Sequence, residues 1–361
     1  MKNLDEIVQE FQKFGEKVQR LKQAESDLNV LNPEGFEAEV QSIRAKLKKP
    51  QVVDEVEREL DYLKRNIAAK EVEMKATLAT SLKTAGRPPK LELGGEISEN
   101  YEIQDLIGFG GFADVYKAKR KEDGRIVAIK IPRLAQFETV EPTIFLDEAD
   151  LWSRLHHPNI VEVIEYGTKP YPWIAVEFME GGSLRLRIGR LTLRESLDIA
   201  LKLCDALYYA HHLGVIHRDI KPENILSDNE NNHKLADWGL GKMMIELSTK
   251  SGSSATPAYS SPEQVKPSKY GEIGWWTDIY QCGAVLYEMV TGQLPFQGQS
   301  PLELAINIAD LELVRPSEVN PELPAEIDQI IAQCLAKHKD ERYKDVSMMR
   351  AALENIKRSL E

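Results

Sequence analysis

Two stretches of the chain carry residue types suited to handling phosphate. In GFGGFADV, Gly108, Gly110 and Gly111 carry no side chains, so backbone N–H groups there can approach phosphate oxygens closely. Ala113 stands where the third glycine of G-x-G-x-x-G would fall. The pattern by itself also suits a dinucleotide site, but that site needs strand, loop, then helix. Here DVYKAKR follows and alternates as a strand, so a strand–loop–strand flap over phosphates fits better. Further on, VAIK sets Lys130 after Val127, Ala128 and Ile129. An ammonium on a buried strand needs anionic partners. Phosphate oxygens and a carboxylate from the following helix would serve. FLDEADLWSRLHHPNIV supplies the helix, with Glu148 the expected partner and Asp147 and Asp150 on its solvated face.

The densest signal is VIHRDIKPEN (Val215–Asn224), followed by KLADWG (Lys234–Gly239). The glycine loop, V-A-I-K, H-R-D-x-K-x-x-N, D-W-G for D-F-G and S-P-E (Ser261–Glu263) for A-P-E occur in that order. On these motifs the chain resembles the eukaryotic-type (Hanks-type) serine/threonine protein kinases from Tyr101 to Ile356. The resemblance implies an ATP-dependent phosphotransferase, with Mg²⁺ or Mn²⁺, acting on Ser and Thr hydroxyls of protein substrates. It makes Asp219 the group that accepts or orients the hydroxyl proton and brings Lys221 to the γ-phosphate. Asn224 and Asp237 become ligands of the metal. Lys130 and Glu148 complete the catalytic set.

The same resemblance assigns Ile107, Gly108, Phe109, Gly110, Gly111, Phe112, Ala113, Asp114 and Val115 to the flap over the nucleotide. Ala113 then reads as a tuning change at the flap tip. Ala128 lines the base pocket, Val176 takes the gatekeeper position, and the backbone at Glu177 and Met179 meets adenine. His217 braces the catalytic loop and Asp278 holds its backbone from below. Glu263 pairs with Arg342, tying the activation segment to a late helix. Trp238 replaces the phenylalanine of D-F-G in an apolar slot. Arg218 is the cation that a phosphate on the activation segment would neutralise, the candidate hydroxyls being Thr249, Ser251, Ser253 and Ser254. Thr256 matches the threonine that contacts the catalytic Asp and Lys.

These residues need elements to place them. YEIQDLIG, DVYKAKR and RIVAIKI alternate with period two, and helical periodicity dominates from Leu191 onward. Strands first and helices later predict an α+β architecture of two lobes. The resemblance makes it the protein kinase fold, residues 101–357. An antiparallel sheet and one helix form the N-lobe (101–178), and helices dominate the C-lobe (181–357). Before it, Leu4, Ile7, Phe11, Phe14, Val18, Leu21 and Leu28 step by three and four along one stripe. Two more helical patterns follow to residue 82, predicting either a small bundle or a coiled coil that pairs with a second copy or a partner helix. Residues 83–100, with Gly86, Pro88, Pro89 and a Gly pair, read as a linker.

Composition excludes some classes. The net charge of −12 falls almost wholly after residue 85, and an acidic chain lacks the basic face a nucleic-acid binder needs. No run of 18 apolar residues would span a membrane. Cys204, Cys282 and Cys334 lack metal-type spacing and read as free thiols, which suits a cytoplasmic protein. His156, His157, His211 and His212 read as packing or helix-end residues; Trp275 and Trp276 read as buried beside the activation segment in preference to forming a docking surface.

Overall fold

The computed structural model describes residues 93–109, 113–132, 142–169, 171–238, 258–298 and 300–360. They belong to the second of two units, Glu92–Glu361. The helical patterns expected over 1–82 lie outside the described residues.

Strands β1 (Tyr101–Phe109), β2 (Ala113–Arg120), β3 (Ile126–Pro132), β4 (Val163–Gly167) and β5 (Trp173–Glu177) form one antiparallel sheet in the order β1-β2-β3-β5-β4. The alternation of β3 sends Val127, Ile129 and Ile131 to one face, where they join Tyr101, Ala118, Trp173 and Ala175 in a small core. Ile97 also belongs to that core, and this changes the reading of the linker. Residues Gly95–Asn100 are a helix (α1): Gly94 is its N-cap and Gly95 its first residue, so neither glycine interrupts the turn formed by EISEN. Ile97 is fully buried, and the Tyr171 hydroxyl donates to the Leu93 carbonyl at 3.0 Å. Between β3 and β4 runs helix α2 (Pro142–Ser153), with Phe145, Ala149 and Trp152 turned into the larger core.

The rest is helical. Helix α3 (Leu193–His212) opens with a capping box: the Thr192 hydroxyl accepts the Glu195 N–H, and Glu195 accepts the Thr192 N–H. Its apolar stripe of Leu197, Ala200, Leu201, Cys204 and Leu207 packs on α6 (Trp275–Thr291) and α10 (Val346–Ser359). Short helices α4 (Pro262–Val265) and α5 (Pro267–Tyr270) precede α6; α7 (Pro301–Asp310), α8 (Pro316–Val319) and α9 (Ala325–Cys334) follow it. A second sheet of β6 (Gly182–Ser183), β7 (Ile225–Ser227) and β8 (His233–Leu235) sits where the two parts meet. The three cysteines are free and buried in the helical part, where desolvation pushes their thiols up. No helix among the described residues is long and apolar enough to cross a membrane.

Lys337, between α9 and α10, donates to the Ile308 carbonyl at 2.6 Å and lies 3.7 Å from the Phe296 ring centroid. It thereby caps the C-terminal turn of α7. Burial lowers its pKa to about 8, so between about pH 8 and the usual lysine range the unfolded chain holds a proton that the folded chain has released. Stability therefore rises with pH across that window. In chemical denaturation, wild type gains stability relative to Lys337→Met between pH 8 and 10; parallel pH profiles would show that the group does not titrate there.

Candidate active site

The segment between α3 and β7 holds Asp219, Lys221 and Asn224, and the central helix α6 sets its shape. Asp278, fully buried, accepts the Arg218 N–H at 2.8 Å and the His217 N–H at 2.9 Å, and also bonds His211 Nε2 at 2.8 Å. One helical turn on, the Gln281 side chain accepts the Ile220 N–H at 2.9 Å and donates to the Arg218 carbonyl at 2.9 Å. Gln264 donates to the same carbonyl at 2.9 Å. Arg218 has a left-handed backbone, φ 71°, which a side-chain-bearing residue adopts only where surrounding bonds over-determine it.

His217 Nδ1 accepts the Asp219 N–H at 3.2 Å, while Nε2 donates to the Ala236 carbonyl at 2.8 Å. Desolvation lowers its pKa, in keeping with a neutral ring whose proton sits on Nε2. Trp238 meets that ring edge-on at 4.8 Å, fully buried, with its indole N–H donated to the Leu235 carbonyl at 3.0 Å. The larger aromatic is thus accommodated with its one polar group satisfied.

So held, the loop brings three functional groups together. Lys221 Nζ lies 2.6 Å from Asp219 Oδ2, and Asn224 Nδ2 donates to the Asp219 carbonyl at 2.8 Å and to its carboxylate at 3.1 Å. Asn224 also bonds onward, its carbonyl accepting the Ala236 N–H at 2.8 Å, which places Asp237 beside it. Asp237 is the second left-handed residue of the site, φ 65°. Burial opposes ionisation of its carboxyl, but the charges and hydrogen bond of Lys130, aided by Lys221, hold it below the usual range.

Lys130 forms an ion pair with Asp237, at 2.7 Å. Glu148 is buried on α2, and the flexible arm of Lys130 settles on the carboxylate at the end of the β8 segment. Val115 lies opposite Lys130 in the β2–β3 register, and Val176 opposite Ala128 in β3–β5. Met179 is buried just beyond β5. There the chain crosses the β7–β8 turn so closely that a Cβ on Gly181 would stand 2.5 Å from Ser227 Oγ and 2.6 Å from the Asp228 carbonyl. Only glycine allows that crossing.

The flap also needs correction. Ala113 is the first residue of β2, buried and opposite Pro132, rather than a tip residue, and its φ is not positive. No glycine is needed at a strand position. Gly108 sits in a tight place: a Cβ there would come 3.2 Å from Val115 Cβ, so the valine would have to yield by a few tenths of an ångström. Ile107 is exposed, and Phe109 pairs with Asp114 across β1–β2. Gly110, Gly111 and Phe112, like Thr249, Ser251, Ser253, Ser254 and Thr256, lie outside the described residues.

At the far end of the segment that begins with Asp237, Glu263 and Arg342 form a bidentate pair, both contacts 2.8 Å, and the Thr277 hydroxyl donates to the same carboxylate at 2.7 Å. Nearby, Arg185 gathers Glu223 of the catalytic loop at 2.7 Å, Glu288 of α6 at 2.6 Å and the Tyr259 hydroxyl. Sequence reasoning missed this cluster, whose members are scattered along the chain. It also missed Gln281, although its spacing of one turn from Asp278 puts both on one face of a helix. His211, expected as a packing or helix-end residue, lies in the last turn of α3 and shares Asp278. Trp275 was read as buried, yet it is 47% exposed, its indole bonded to the Lys344 carbonyl.

The donors suit a nucleotide with a hard cation. Asp237 offers a carboxylate and Asn224 an amide oxygen. Among the described residues no cluster of three or more His, Cys, Asp or Glu could hold a metal by itself. Mg²⁺ takes one or two protein carboxylates and completes its shell with phosphates and water, so this set fits it.

Comparison with known proteins agrees in extent. A family model described as the protein kinase domain matches residues 101–354. A protein of Clostridium perfringens named probable serine/threonine-protein kinase is 34% identical over 274 residues, 74% of this chain and 39% of its own length. The serine/threonine-protein kinase PknB of Mycolicibacterium smegmatis is 34% identical over 275 residues, 71% of this chain and 43% of its own. PknB of Mycobacterium tuberculosis is 32% identical over 277 residues, 72% and 43%. The chain thus spans about two-fifths of the length of the curated relatives it matches.

Proposed function

Because this chain belongs to the protein kinase family, we propose that it transfers the γ-phosphoryl group of ATP, with Mg²⁺, to serine and threonine hydroxyls of protein substrates. The meeting of Asp219, Lys221 and Asn224 on a loop bonded to α6, beside the Lys130–Asp237 pair, carries this reading. Bound nucleotide and metal supply the phosphoryl group and part of its charge neutralisation. The remaining work falls to the chain. Asp219 accepts the proton of the attacking hydroxyl as the new O–P bond forms and the bond to the leaving diphosphate breaks. Lys221 and Lys130 donate N–H groups to the phosphate oxygens, Lys130 exchanging Asp237 for them. Asp237 and Asn224 would hold the metal, and the backbone at Glu177 and Met179 would orient the base.

The same reading extends to regulation. The Nε of Arg218 is buried and has no hydrogen-bond partner among the described residues, which supports a role in receiving a phosphate from Thr249, Ser251, Ser253 or Ser254. Residues 1–82 would serve oligomerisation or partner binding, on the strength of their heptad spacing; sedimentation of chains with and without them, both monomeric, would dismiss the oligomer. Incubation with labelled ATP and Mg²⁺ tests the rest. Label is expected on phosphoserine and phosphothreonine, with peptides from 249–254 carrying it. Label on tyrosine alone, or none, would overturn the assignment.

A further inference from the structure

Lys234 opens the KLADWG stretch without belonging to the D-W-G motif itself, and it joins the two ends of the site. Its ammonium donates to both oxygens of Glu177, at 2.7 and 2.8 Å. The same carboxylate accepts the Glu162 N–H at 2.7 Å, and the Glu177 N–H donates to the Glu162 carbonyl at 2.9 Å. Glu162 pairs in turn with Arg125 at 2.7 Å. The Lys234 and Glu177 side chains are only 20% and 16% exposed, so solvent screens this pair less than an ordinary surface bridge.

The positions of the two residues give the pair its meaning. Glu177 ends β5, where the chain turns to meet the base. Lys234 lies in β8, three residues before Asp237 and opposite Leu226, two residues after Asn224. Backbone bonds already join β8 to the segment before β4, through Val161 N–H to the Leu235 carbonyl at 3.0 Å and Leu235 N–H to the Asn159 carbonyl at 2.9 Å. What Lys234 adds is a hold on Glu177 itself.

We infer that Lys234 is a positioning residue for the nucleotide, setting through Glu177 the spacing between the backbone that receives the base and the Asn224–Asp237 end that receives phosphates and metal. The inference rests on the kinase reading. A ligand that touches both ends senses the spacing, and one that touches only the base end does not.

ATP·Mg²⁺ and adenosine are therefore the two probes, titrated by calorimetry into the full chain. Lys234→Met is expected to weaken ATP·Mg²⁺ by about tenfold, the size of a contact coupling between neighbouring residues, and adenosine less than twofold. Lys234→Arg restores most of the loss. Glu177→Gln matches Lys234→Met, and the double variant is no worse than either. Equal losses for both ligands, or none, in variants that melt like wild type would overturn the inference alone. Wild-type protein that binds neither ligand would overturn the kinase reading with it.

Discussion

Asp219→Asn lowers phosphoryl transfer by about 10²–10⁴-fold, the usual contribution of a positioned general base, while the protein stays folded and nucleotide affinity shifts only a few-fold. The fold survives because the Asp219 backbone is held by groups that do not depend on its own side chain: His217 Nδ1 on its N–H, and Gln281 on the next residue. The amide is nearly isosteric and still offers an oxygen to Lys221. What it loses is the charge that pairs with Lys221 at 2.6 Å and the capacity to take a proton. Initial rates on one peptide substrate at saturating ATP, with binding measured separately, distinguish the two losses. A variant as fast as wild type would remove Asp219 from the chemistry. One that no longer binds nucleotide would make its role structural.

Arg342→Ala is expected to destabilise the protein by about 3–5 kcal/mol, the range for removing one partner of a buried ion pair. The Glu263 carboxylate is 1% exposed and would keep only the Thr277 hydroxyl and its own backbone N–H as described donors. Arg342 also serves the Ala336, Trp276 and Lys337 carbonyls, at 2.9, 3.0 and 3.2 Å, so its loss leaves four acceptors short. Burial pushes the Glu263 carboxyl up, but hydrogen bonds and charge from Arg342 override that and hold it low. Its contribution is thus full above the usual carboxylate range and fades as pH falls through the lowered folded value. Urea titration of Arg342→Ala against Glu263→Gln/Arg342→Met measures this, the double variant being the milder. A single variant within about 0.5 kcal/mol of wild type, the scatter of ordinary surface changes, would show that the pair is dispensable.

Residue types whose chemistry is local were legible in the sequence. Asp219, Lys221 and Asn224 fall within one turn and loop, so their spacing along the chain nearly fixes their spacing in space. Strand alternation placed Lys130 on a sheet whose register could be checked residue by residue. What stayed hidden depends on which distant groups meet. Spacing along the chain does not say which carboxylate a flexible lysine arm meets, and Lys130 pairs with Asp237, more than a hundred residues away. Arg185, Glu223, Tyr259 and Glu288 converge from four separate stretches of the chain. Glycine misled at Ala113 because a motif position was taken for a loop tip, when the strand had already begun. At α1 the glycine pair stands at the start of a helix, as N-cap and first residue, rather than in its interior.

That last helix bears on how the catalytic part can be cut from the chain. A fragment begun at Tyr101, where the family match starts, discards Ile97 and bares the apolar face made by Tyr101, Ile129, Trp173 and Ala175. It also leaves the Tyr171 hydroxyl without its bond to Leu93. Such a truncation would present a sticky patch to its own copies and invite aggregation. The shortest boundary that keeps the sheet covered lies at Leu93, eight residues before the first strand.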